Sequence, residues 1–113
     1  MRKTDAPKPN YVGLENRVAP RSDVYFRLSI KLPDSRQDMA TCINISSDGL
    51  LIRYAESFEP DDILVFSLPV LGQRPAKVIW SLAGKSGIQF DEAISESDYI
   101  PLLRAMGGRV DGE

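Results

Sequence analysis

Val24-Tyr25-Phe26-Arg27-Leu28-Ser29-Ile30-Lys31-Leu32 alternates without a break. Val24, Phe26, Leu28, Ile30 and Leu32 share one face, while Tyr25, Arg27, Ser29 and Lys31 share the other. A period of two puts the first set against a core and the second toward water, so the stretch reads as a half-buried strand. Pro33-Asp34-Ser35 then turns the chain. Met39–Ser46 reads as the next strand, with Thr41, Ile43 and Ile45 on one face and Cys42, Asn44 and Ser46 on the other.

Further strands read outward from this pair. Asp48-Gly49 marks a turn before Leu50–Tyr54, and Pro60-Asp61-Asp62 precedes the apolar run Ile63–Leu68. Pro69 to Gly72 breaks that run; Arg74–Ser81 and Lys85–Phe90 follow, joined by Ala83-Gly84. Six short strands with regular turns make an all-β domain, a small barrel or a sandwich. The period changes only near the C-terminus, where Ile100, Leu103 and Met106 fall on one face of a short helix that Gly107-Gly108 stops. Ser95-Glu96-Ser97-Asp98 resembles a capping box, but Pro101 would lie deep in a helix starting there, so a start nearer Pro101 fits equally.

The organisation expected is a flexible tail over 1–13, a folded unit over 14–106 and a second flexible tail over 107–113. Pro7, Pro9 and Gly13 lie in the first tail, and Pro20 keeps the polar lead-in of residues 14–21 extended. At 113 residues this is one domain with a small core. No apolar run approaches the roughly 20 residues of a membrane helix, and the basic start is not followed by the apolar core of a secretory signal. A cytoplasmic protein with no membrane insertion is expected.

Composition excludes several chemistries. The chain has no histidine and a single cysteine, Cys42, so Ser-His-Asp and Cys-His catalysis, histidine-bearing zinc sites and internal disulfides are ruled out. No enzyme and no metal site is expected. Charge is uneven: residues 1–31 hold seven basic and three acidic side chains, a balance of +4 that leaves −6 for the rest of a chain of net charge −2. A basic arm on an acidic body suits a small anionic ligand held at one place, and argues against a DNA or RNA face.

Two short patterns stand out within this frame. Arg17-Val18-Ala19-Pro20-Arg21 gives R-x-x-x-R, and Asn44-Ile45-Ser46-Ser47-Asp48-Gly49 gives N-x-S-x-x-G. The first is expected by chance roughly 0.7 times in this composition and the second about 0.09 times, so the second carries more weight. Two planar cationic forks with an amide, a hydroxyl and a glycine suit a ligand bearing phosphates and guanine bases. Each element also has a plainer reading. The arginines can be solvated; Asn44–Gly49 can be a structural turn, with Ser46 or Asp48 bonding the backbone and Gly49 left-handed. Cys42 reads as a small packing residue, and Trp80 as packing.

Arg17 and Arg21, Asn44, Ser46 and Gly49, then Val78-Ile79-Trp80 and Gly87-Ile88-Gln89-Phe90 stand in the order of a known pattern. Over about residues 15–106 the chain resembles the PilZ domain family. That resemblance implies a six-stranded antiparallel β-barrel followed by a helix, with a flexible N-terminal arm. It implies binding of cyclic di-GMP, a bacterial second messenger, by Arg17, Arg21, Asn44, Ser46 and Gly49, with Trp80 a secondary contact against a guanine. It also implies a receptor or adaptor that acts through a downstream protein partner. Asn16 occupies a position where many ligand-binding members carry a further arginine. The alternative is a ligand-independent interaction module on the same barrel.

Overall fold

The structure, a computed structural model, describes residues 20–108. Its strands are β1 (Ser22–Lys31), β2 (Gln37–Ile45), β3 (Gly49–Arg53), β4 (Ile63–Leu68), β5 (Gly72–Leu82) and β6 (Lys85–Phe90), followed by helix α1 (Glu96–Ala105). They form a closed barrel in the order β1-β2-β3-β6-β5-β4, antiparallel throughout. Closure removes the free edges that six short strands would otherwise expose. The sequence left barrel and sandwich open; pairing of β1 with β4 decides for the barrel.

The inward positions follow the expected alternation along most strands. Leu28 and Ile30 of β1, Leu50 and Ile52 of β3, Leu64 and Phe66 of β4, Val78 of β5 and Ile88 of β6 are buried in one core. Helix α1 adds Leu102 and Leu103, with Ile94 before it and Met106 after it. Tyr99 fastens the helix to the barrel by donating its hydroxyl to the Ile45 carbonyl at 3.1 Å.

Strand β2 departs from the expectation. Cys42 faces the core with no exposed surface, whereas Ile43 is only half-buried. Cys42 pairs with Ile52 but Asn44 pairs with Leu51, so Ile43 is an extra residue opposite an unbroken partner strand. Such a bulge shifts the parity of a strand, which is why alternation placed Cys42 wrongly beside Asn44. A second bulge, at Ile79, separates Val78↔Ile88 from Trp80↔Gly87.

The helix starts at the earlier of the two places weighed. Ser95 caps it, its hydroxyl accepting from the Asp98 amide at 3.3 Å, and Pro101 lies inside the helix. The proline has no N–H to give the carbonyl four residues back, on exposed Ser97, where water can serve. At the far end Gly107 takes φ 80°, and the amides of Gly107 and Gly108 bond the carbonyls of Arg104 and Leu103.

Candidate functional site

The two sequence patterns meet on the outer barrel wall. Pairing of β1 with β2 sets Ser22 opposite Ile45 and Asp23 opposite Asn44, which brings Arg21 beside the end of β2. The Arg21 guanidinium Nη1 donates to Asn44 Oδ1 at 2.8 Å. A guanidinium only donates, so the amide oxygen must face it and the amide NH2, a pair of donors, is turned away from the guanidinium. The pair therefore presents mainly hydrogen-bond donors and one positive charge. Arg17, the other predicted arginine, lies outside the described residues, as do Asn16 and the expected tail over 1–13.

Ser46 does different work. It is buried, and its Oγ accepts from the amides of Asp48 at 3.1 Å and Gly49 at 3.3 Å. The Ser46 amide donates to the Gly49 carbonyl, closing the turn between β2 and β3. The same turn is tied to later chain: Phe90 donates to the Asp48 carbonyl and Ile94 to that of Ser47. Gly49 is not left-handed. A Cβ there would sit on the Ile88 carbonyl oxygen, so glycine is required by the close approach of β3 to β6. The N-x-S-x-x-G pattern thus splits: Asn44 faces outward, while Ser46 and Gly49 hold the turn that positions it.

A platform extends from Asn44 across the wall. Asn44 pairs with Leu51, Leu51 with Gly87 and Gly87 with Trp80, one outward residue on each of β2, β3, β6 and β5. At about 4.8 Å per strand the row spans about 14 Å. The Trp80 indole lies over Gly87, where any Cβ would meet its ring atoms, and stays 44% exposed. Packing and an open aromatic face are both realised at Trp80. Leu51 belongs to neither pattern, and Gly87 stands in the Gly87-Ile88-Gln89-Phe90 motif without an expected place in the site. Alternation alone turns Leu51 outward, but only the register across four strands sets it beside Asn44.

Cys42 is no part of this surface. Its thiol donates to the Asn44 carbonyl at 3.2 Å, and burial pushes its pKa up to about 12, which leaves it an inert packing residue. Among the described residues no group of His, Cys, Asp or Glu is arranged to hold a metal, and no helix is long and apolar enough to cross a membrane. A groove lined by Ile63, Pro75, Lys77, Gln89, Phe90 and Asp91 lies on the barrel wall but contains none of the expected ligand-binding residues.

The PilZ domain family model matches residues 15–107, most of the chain. The chain belongs to the PilZ domain family. PilZ domains are receptor and adaptor domains rather than enzymes. Among solved structures, the Bacillus subtilis inhibitor of motility (MotI/DgrA) is similar, with a TM-score of 0.54 and 19% sequence identity. The match covers 82% of this chain and 50% of that one, so this chain spans about half the length of that relative, and the likeness is one of fold. No curated protein matches the chain.

Proposed function

We propose that this PilZ domain is a receptor for cyclic di-GMP that acts as an adaptor in bacterial second-messenger signalling. The observation that carries the reading is the Arg21–Asn44 hydrogen bond, which joins the two patterns on an open outer surface. Arg21 forks onto phosphate oxygens or onto guanine O6 and N7, and the Asn44 NH2 adds donors to the same acceptors. Trp80, Gly87 and Leu51 supply a flat apolar floor on which a base can stack. Ser46 and Gly49 contribute through the turn they hold.

Binding then fixes the arginine lead-in of residues 14–22, Arg17 included, against the barrel. A domain with no catalytic constellation signals by contact, so the closed lead-in and ligand form the surface that a cytoplasmic partner protein reads. The ligand-independent module remains the second reading, and buried Ser46 favours it, since the motif's hydroxyl already has structural partners.

Calorimetric titration tests the proposal. Cyclic di-GMP should bind wild type at micromolar concentration or tighter, about −8 kcal/mol, while GTP and cyclic di-AMP should not. No heat with well-folded protein, together with an unshifted thermal melt, would overturn it.

A further inference from the structure

One register step along the same wall from the Asn44 platform lies a second row with different chemistry. Arg27 pairs with Thr41, Thr41 with Arg53, Arg53 with Lys85 and Lys85 with Leu82. Arg27, Arg53 and Lys85 all point outward and are exposed, and the row contains no carboxylate. Arg27 and Lys85 are three strand steps apart, about 14 Å. Apolar side chains stand at both ends: Leu82 is 72% exposed, and Tyr25, the next outward residue before Arg27 on β1, is 74% exposed.

These cations differ from Arg36 and Lys77. Arg36 is paired with Asp34 and Glu56, and Lys77 lies 3.9 Å from Asp61. Among the described residues Arg27, Arg53 and Lys85 have no ion pair or hydrogen bond through their side chains. Three cations in one row without an ion pair stand out on a chain that carries −6 beyond residue 31; the Asp38 carboxyl acts on Arg27 alone of the three. Like charges so close repel one another, a cost that an anionic partner would relieve.

We propose that the Arg27–Arg53–Lys85 row docks an acidic segment of a partner protein, with apolar side chains of that segment seated on Leu82 and Tyr25. Charge complementarity selects the partner, and the two apolar residues supply the anchors that charge alone lacks. A nucleic acid fits less well, because the acidic body repels it and the row has no run of aromatics for stacking. The proposal stands apart from the second-messenger reading, since Arg21, Asn44 and Trp80 take no part in it.

Fluorescence anisotropy with a labelled acidic helical peptide tests this. A peptide about fourteen residues long, at about 1.5 Å per residue, covers the four strand steps from Arg27 to Leu82 with glutamates along one face and a leucine near each end. It should bind the full chain, weaken as salt rises, and bind more tightly than its glutamine counterpart. Arg53→Glu and Lys85→Glu should each weaken it roughly fivefold or more, while Lys31→Glu, off the row on β1, should change it less than about twofold. Arg53→Gln, with an intermediate loss, guards against misfolding of the reversals. Equal affinity for the glutamine peptide, or an equal loss in Lys31→Glu, would overturn the proposal. Tighter binding of a single-stranded oligonucleotide through the same residues would replace it with a nucleic-acid surface.

Discussion

Two arginines, Arg21 and Arg36, sit at exposed positions on the barrel and meet opposite company. Arg36 bonds Asp34 Oδ2 at 2.7 Å and Glu56 at 3.1 Å, so its fork is filled by two carboxylates. Those partners push its pKa further up, Glu56 most of all, and the amide and guanidinium of Arg36 hold the Asp34 carboxyl below its ordinary range. Among the described residues Arg21 bonds one neutral amide oxygen. Arg36 is a neutralised structural clasp between the β1–β2 turn and the loop after β3. Arg21 stands beside the Asn44 amide, at one end of the row that leads through Leu51 and Gly87 to Trp80. An arginine's company, rather than its exposure, marks it as available to recognise an anion.

The frame that holds Arg21's partner gives the largest expected effect. Gly49→Ala must push β3 away from β6, and urea denaturation should read a loss of about 3 kcal/mol. A near-neutral result would mean the strands part easily and that Gly49 serves something other than packing. Ser46→Ala comes next, at about 2 kcal/mol, because it strips two amides in a buried turn of their acceptor. Full stability with lost ligand affinity would instead return Ser46 to the binding surface.

The arginine pair itself offers a sharper contrast. Arg21→Ala should leave the melting temperature almost unchanged yet weaken cyclic di-GMP about tenfold or more, since each charge-assisted bond contributes about 1.5 kcal/mol or more. Arg36→Ala should leave affinity unchanged and lower the melting temperature only slightly. The opposite pattern in calorimetry and melts would erase the distinction between the two sites.

The smallest effect is a pH dependence on the Arg36 side. Asp38 accepts from the Tyr54 hydroxyl at 2.6 Å and from the Met39 amide, the first being the larger cause of its lowered pKa. Asp34 is lowered too, so both carboxyls titrate lower folded than unfolded. Their stabilisation is complete above the unfolded value of about 4 and is lost as pH falls through the folded values. Melting temperature should therefore drop on acidification below about pH 4, and less steeply in Tyr54→Phe. A midpoint that rises in acid would refute this assignment.

Much of the fold was legible because its signals are local. Alternation in Val24–Leu32, the apolar run Ile63–Leu68 and the Ala83-Gly84 turn each depend on neighbouring residues alone. Six strands and a C-terminal helix follow, as observed. The errors occurred where a residue's direction depends on its partner strand. Nothing in Cys42-Ile43-Asn44 announces a bulge, because the extra residue exists only relative to Ile52 and Leu51. The helix start was legible as two alternatives, and packing of Leu102 and Leu103 against the barrel favours the longer helix despite Pro101.

The candidate site divides in the same way. The order of residues along the chain names the chemical groups present: an arginine before β1, an amide at the end of β2, a tryptophan on β5, and no histidine for catalysis. That Arg21 meets Asn44, that Leu51 and Gly87 connect Asn44 to Trp80, and that Ser46 faces the turn became visible in the folded barrel alone. The reason is that chemistry belongs to the side chain, whereas its direction and company follow from strand register and barrel closure, which join residues far apart in the chain.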